Sequence, residues 1–215
     1  MKPDYIPALG RDFWTPAYDL AIRLTLPERR FKRRLLDAAS ITKGMVVVDV
    51  GCGTGTLLLM GKSQHSAARF VGLDPDPLIM RRAQRKLIRA QADAQLVLAN
   101  AVLLPLASAS VDRILSTLAF HHLDLKSKFK ALKESYRVLR PAGEIHIGDF
   151  GAPSGRVTRA ISFLVEHIGR EHVHEQFHGL LPRMVAEAGF HDVKETGMFV
   201  TVFGVLRLVR GVKSV

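Results

Sequence analysis

The residues with chemical reach stand at the ends of short apolar runs. The stretch VVVDVGCGTGTLLL (46–59) sets Asp49 ahead of a turn whose glycines fall at Gly51, Gly53 and Gly55. Glycines there remove side chains, so the backbone can approach a ligand closely. A dinucleotide turn, G-x-G-x-x-G, wants its third glycine where Thr56 stands, and no P-loop lysine follows, so phosphates are poorly served. Asp49 can accept from an ammonium group. Asp74, at the end of RFVGLD, can accept from both hydroxyls of a ribose. Asn100 follows AQLVLA and can offer its side-chain carbonyl to the exocyclic amine of adenine, with the Ala101 N–H facing a ring nitrogen.

Amine, ribose and adenine together describe S-adenosylmethionine. Each residue also has a structural alternative: Asp74 as a helix N-cap ahead of Pro75, Asn100 as a turn residue, the glycines as an ordinary strand-to-helix turn. Their occurrence in order, at three successive strand ends, favours the cofactor.

His121 and His122 lie just beyond VDRILST (111–117), where a transferred methyl group should emerge. Imidazole titrates near neutrality, so either can take a proton from an acceptor; the alternative is that the pair caps the next helix or orders the loop. Asp149 and Tyr18 are further candidates for the acceptor pocket. The segment EHIGREHVHEQFH (166–178) holds Glu171, His172 and His174, but the spacing matches no zinc signature, and no metal is expected. It reads as a segment over the acceptor site.

The elements that must position these groups follow from patterning. Runs at 45–50, 69–74, 94–99, 111–117 and 144–150 read as buried parallel strands, and the segments 76–92 and 124–139 between them read as helices opened by Asp76 and Asp124. The second helix stops before a turn at Pro141–Gly143. After a helix at 179–190, the runs 193–201 and 203–212 are linked too tightly for a crossover, which demands an antiparallel pair. The expected fold is α/β: a doubly wound, mostly parallel seven-stranded sheet closing with an antiparallel hairpin, behind an N-terminal helical cap. One domain spans 1–215, divided into a helical preamble (1–42), a cofactor-binding core (43–150), acceptor-side helices (151–190) and the closing hairpin (191–215).

Composition bounds the rest. The 215 residues, 47% hydrophobic, suffice for a full core. A lone cysteine, Cys52, excludes an internal disulfide framework and fits the cytoplasm. No apolar run is long enough to span a membrane. The basic residues behind the net charge of +11 gather in ERRFKRR (28–34), RRAQRKLIR (81–89), KSKFKALK (126–133) and RLVRGVK (207–213), which read first as solvated helix faces.

VVVDVGCGTG, GLDPDP, LANAVLLPLASASVDRILSTLAFHHL and ALKESYRVLRPAGEIHI together resemble the motifs of class I, Rossmann-like S-adenosylmethionine-dependent methyltransferases, across roughly residues 40–150. The resemblance is strongest to the small-molecule branch that includes ubiquinone and menaquinone C-methyltransferases. It implies cofactor contacts at Asp49, Gly51, Gly53, Gly55, Asp74, Asn100 and Ala101. Relatives usually carry aspartate where this chain has Asn100, which keeps an acceptor but loses charge. The implied activity is methyl transfer to a small lipophilic or aromatic acceptor, shaped by segments 1–42 and 151–190. Alternatives are an RNA methyltransferase, which an absence of aromatic-interleaved basic stripes argues against, or a lipid-headgroup enzyme held on an anionic membrane by the basic preamble and tail. From another class comes a non-catalytic cofactor-binding protein.

Overall fold

The computed structural model describes residues 28–151, 180–201 and 204–215. Tyr18, the aromatic residues Tyr5, Phe13 and Trp14, and the histidine-rich segment 166–178 lie outside the described residues.

Among the described residues the first helix is α1 (Glu28–Ala38). Its inner face buries Phe31, Leu35 and Leu36, while Arg29, Arg30, Arg33 and Arg34 face outward. Strand β1 (Val46–Val50) then leads through the glycine turn into α2 (Thr56–Gln64), followed by β2 (Arg69–Asp74), α3 (Pro77–Arg89) and β3 (Ala94–Leu98). The chain continues through β4 (Val111–Thr117), a 3-10 turn (Phe120–His122), α4 (Leu125–Val138) and β5 (Leu139–Gly151). Helix α5 (Leu180–Glu187) and strands β6 (His191–Thr201) and β7 (Gly204–Val212) follow. Among the described residues, the sheet has seven strands in the order β3-β2-β1-β4-β5-β7-β6. The first five pair in parallel, and β7 lies antiparallel to both β5 and β6. No helix among the described residues is long and apolar enough to cross a membrane.

Side chains alternate along a strand, and both faces of this sheet are covered, which is why β1 reads as a continuous apolar run. Val48 and Val50 pack with Leu132 of α4 and Val185 of α5 on one face. Val47 packs with Phe31 of α1, Leu58 of α2 and Leu87 of α3 on the other. The period of two turns Asp49 toward this second face, under α1. Helix starts match their sequence signals: Asp76 Oδ1 accepts from Leu78 N–H (2.8 Å) and Ile79 N–H (3.1 Å), and Asp124 Oδ1 accepts from Ser127 N–H (2.6 Å).

Strand β5 differs from expectation. The Pro141–Gly143 turn lies inside the strand, as an irregularity: Val111 pairs with Leu139, and pairing resumes at Arg113 with Glu144. Ala142 takes a left-handed φ of 59°, and its N–H donates to Lys213 O (3.1 Å), so β7's end satisfies a backbone that pattern alone reads as a free turn.

Beyond the bulge, Glu144 joins the sheet's two halves. Arg210 of β7 donates to both its oxygens (2.8 and 2.6 Å), and the buried His146 ring bonds it at 2.9 Å. Burial works to raise the Glu144 carboxyl, but the Arg210 and His146 hydrogen bonds outweigh it, leaving the group well below its ordinary value of 4.5. A depressed folded-state pKa contributes stability that is full above that value and lost as pH falls below it. Glu144→Gln should therefore lower stability by about 1–3 kcal/mol at neutral pH. Thermal melts of both proteins should converge as pH drops through the carboxylate range, and equal melting temperatures at pH 7 would refute the role.

Candidate functional site

Strand β1 has β2 on one side and β4 on the other, so the strand order reverses there, and ligands of open α/β sheets bind beyond the carboxyl ends at such a point. A cavity of about 250 Å³ opens at this place. Its walls are residues 50–54 of the glycine turn, 73–75 after β2, 99–101 after β3, and 117–120, 122 and 123 after β4, closed by Glu28 and Lys32 of α1.

Asp74 organises one side. Its Oδ2 accepts from the Gly53 N–H and its Oδ1 from the Asp76 N–H, both at 3.0 Å, which fixes the carboxylate against the turn and leaves each oxygen a further lone pair toward the cavity. Burial raises its pKa, and those two backbone donors oppose the rise.

The glycines divide their work. A side chain at Gly51 would run into the Cβ of Ala119, so the residue permits the loop after β4 to close on the turn. At Gly53 (φ 53°) a Cβ would meet nothing within 4 Å; the backbone stands open there. Gly55 does not line the cavity: it is the left-handed N-cap of α2, and a Cβ there would press on Ala83 of α3 at 3.3 Å. Across the cavity Leu118 is held at φ 54°, a costly conformation for leucine, with its N–H bonded to Gly148 O at 2.9 Å.

Asp49 sits one residue behind the wall, 1% exposed, and neither of its oxygens has a hydrogen-bond partner among the described residues. Burial pushes its pKa up to about 7; the Lys32 ammonium pulls it down and Asp74 pushes it up. A buried carboxylate without partners is costly, and a cationic ligand, reached directly or through a water, is the group that satisfies it. Lys32 was hidden in the sequence: it belongs to a run read as a solvated face, yet it is only 8% exposed, bonded at 2.7 Å to Glu28. Its i+4 spacing from Glu28 and i−4 spacing from the core residue Leu36 is the signal that could have revealed it.

Asn100 and Ala101 reach the cavity rim, but the Asn100 side-chain oxygen also accepts from the Val102 N–H at 3.2 Å. The turn role and the rim position coexist. Cys52 is buried, its thiol raised far above the ordinary range by burial and then by Asp49 and Asp74, and it is inert as a nucleophile.

The two histidines separate. His122 lines the cavity, while burial and the adjacent His121 push its pKa down to about 4. His121 lines a smaller cleft with Phe120, Phe150, Leu180, Leu181 and Met184. There Asp149, expected in the acceptor pocket, accepts from His121 N–H (3.1 Å), His121 Nδ1 (2.9 Å) and Phe150 N–H (2.8 Å). Burial acts to raise the Asp149 carboxyl, and the His121 charge and these donors outweigh it, so the group stays ionised. Among the described residues, no group of histidine, cysteine or acidic side chains has the arrangement of a metal site.

The family described as "Methyltransferase domain" matches residues 47–143. Over those residues the chain is similar to methyltransferase domains. It is similar to the demethylmenaquinone methyltransferase of Thermus thermophilus, 34% identical over 140 residues that cover 64% of this chain and 63% of that one. It is also similar to the ubiquinone/menaquinone biosynthesis C-methyltransferase of an Enterobacter species, 29% identical over 167 residues covering 75% and 61%. The chain thus spans about three fifths of the length of these relatives. Among solved structures, a SAM-dependent methyltransferase from Aquifex aeolicus superposes with a TM-score of 0.66 at 18% identity, over 90% of this chain and 97% of that one. At that identity the likeness concerns the fold, whose parallel sheet and closing hairpin agree with the expectation from sequence.

Two outcomes test the cofactor side. Asp74→Ala should weaken S-adenosylhomocysteine binding about tenfold or more in calorimetry, since charge-assisted contacts are the strong ones; unchanged affinity removes the ribose assignment. For Asp49, the folded-state pKa of about 7 exceeds the ordinary 3.8, so the ligand-free fold keeps a proton that the unfolded chain releases. Its stability should fall as pH rises through that interval, and Asp49→Asn should flatten the slope. Ligand affinity should move the opposite way, rising roughly tenfold between pH 5.5 and 7 in the wild type alone.

Proposed function

We propose that this chain transfers a methyl group from S-adenosylmethionine to a small lipophilic, ring-bearing acceptor of the quinol type. The observation that carries the reading is the partnerless buried carboxylate of Asp49 behind a turn of alternate glycines, with Asp74 fixed beside it. The acceptor class is supported by the activities named for the two quinone-methylating relatives and by the apolar walls of the cleft beside His121. The cytoplasm is its compartment in this reading, supported by the single unpaired thiol.

The bound cofactor supplies an electrophilic methyl on a sulfonium, so most of the acceleration comes from positioning and exclusion of water. The chain's part is to hold the amine end over Asp49, the ribose on Asp74 and the acceptor beside the turn at 120–122. A phenolic or enolic acceptor must also lose a proton. The ionised Asp149 draws the His121 proton onto Nδ1, which makes Nε2 the accepting nitrogen. His121 is thus the base and Asp149 its positioning residue, while His122, neutral at physiological pH, shapes the cavity wall.

In an assay of S-adenosylhomocysteine release with reduced demethylmenaquinone, His121→Ala should lose about 10²–10⁴ in kcat with cofactor affinity unchanged. Asp149→Asn should also lose rate, because an amide no longer holds the ring with Nε2 as its accepting nitrogen. His122→Ala should cost far less. Full activity of His121→Ala would remove the base.

A further inference from the structure

We propose that the outward faces of α1 and α3, with the groove between them, dock on an anionic lipid surface. The evidence is where the positive charge stays uncompensated. The C-terminal basic run is tied into the fold, its two arginines by carboxylates. Arg207 pairs with Glu195 (2.6 Å), Arg210 with Glu144 and Asp192 (2.6 Å each), and Lys213 donates to the Leu139 carbonyl (2.7 Å). Those contacts leave the tail little free charge for the membrane attachment weighed as an alternative in the sequence.

The helices are different. Among the described residues, Arg29, Arg30 and Arg33 of α1 and Arg81, Arg82, Arg85 and Arg89 of α3 are all exposed and make no hydrogen bond or ion pair. Arg82, Arg85 and Arg89 recur at i, i+3 and i+7, one stripe of α3. With Arg29 they border a groove of about 970 Å³ whose floor carries Thr54 and Thr56. Lys86 is held on those two hydroxyls at 3.2 and 2.8 Å, which adds its charge to the floor.

The exposed side of α3 also carries two large apolar side chains, Leu78 (61%) and Ile88 (68%), the second on the flank toward β3, where it lines a separate cleft with Leu96. On the helical wheel Leu78 falls between Arg85 and Arg89. Guanidinium groups for phosphates, interleaved with aliphatic side chains for the acyl boundary, are the pattern of an interfacial helix. A free phosphate would use one point of this surface and leave Leu78 and Ile88 unexplained. RNA would want aromatic platforms, and α1 and α3 expose none. Glu28 and Thr54 line both the groove and the methyl-donor cavity, so docking brings that cavity to the bilayer. The benefit of that nearness rests on the lipophilic acceptor proposed above; the docking itself does not.

The test is co-sedimentation of the full chain with vesicles of phosphatidylcholine alone or mixed with phosphatidylglycerol. Binding should require phosphatidylglycerol and fall with added salt. Arg82→Glu/Arg85→Glu/Arg89→Glu should reduce it about tenfold or more, and Leu78→Ser/Ile88→Ser should reduce it at constant charge. The charge-matched control Lys126→Glu/Lys130→Glu/Lys133→Glu should bind nearly as well as the wild type. Unchanged S-adenosylhomocysteine affinity in every variant separates this result from the fate of the methyl-transfer reading. Equal binding to neutral vesicles, equal loss in the control, loss of vesicle binding to inorganic phosphate at matched ionic strength, or preferential capture by RNA would overturn the proposal.

Discussion

A carboxylate taken out of water without a partner is the constraint around which this structure is arranged. Asp49 is the fourth of five residues in a strand whose other members are all valine, and the strand period turns its side chain under α1. Holding an ion there is expensive, so the group drifts toward the neutral form unless a positive charge is near. Lys32 supplies part of that charge at a fixed distance, because its own ammonium is tied to Glu28 one helical turn earlier. Helix α1 is therefore part of the site as well as a cover for the sheet. The incomplete compensation is useful: a fully satisfied Asp49 would have nothing to offer a cationic ligand.

The same requirement shapes the turn above it. Alternate positions of the turn carry no side chain, and the loop after β4 approaches so closely that Gly51 has no room for a Cβ beside Ala119. That approach is bought with Leu118 in a left-handed conformation. The strained leucine then begins the segment that sends His122 toward the donor cavity and His121 toward the apolar cleft, 4.0 Å apart between ring centres yet facing different chemistry. The larger cavity and the apolar cleft are separated by one residue of a 3-10 turn, and Asp149 of β5 holds His121 on the cleft side by two hydrogen bonds.

Much of this was legible in the sequence because its signals are local. Strands buried on both faces announce themselves as unbroken apolar runs, and Asp76 and Asp124 mark helix starts by hydrogen bonds that span only two or three residues. The acidic and amide residues at three strand ends were likewise visible as a series. What escaped depends on distant partners. Lys32 reads as one more cation in an arginine-rich helix until Asp49 is seen behind it. Gly55 reads as a third ligand-facing glycine until α3 is seen to press on it through Ala83. The bulge in β5 reads as a turn because the strand that pairs with it, β7, returns about seventy residues later. Asn100 kept both of its readings, since a carbonyl oxygen can close a turn with one lone pair and face a cavity with the other.

Net charge shows the same dependence on partners most clearly. The runs at 81–89 and 207–213 look equally basic in sequence, but they sit on elements of different kinds. Across an antiparallel pair, side chains on one face stand close enough for opposite charges to meet, and β7 lies between two strands that present Glu144, Asp192 and Glu195 to its arginines. An outer helix has only its own turns to draw on. The outward turns of α3 hold no acidic residue between Pro77 and Arg89, so its guanidinium groups have no internal route to neutrality. The exposed guanidinium groups of α3 are one part of the excess of +11, and which basic residues stay uncompensated follows from which ones the topology set opposite a carboxylate and which it left facing outward.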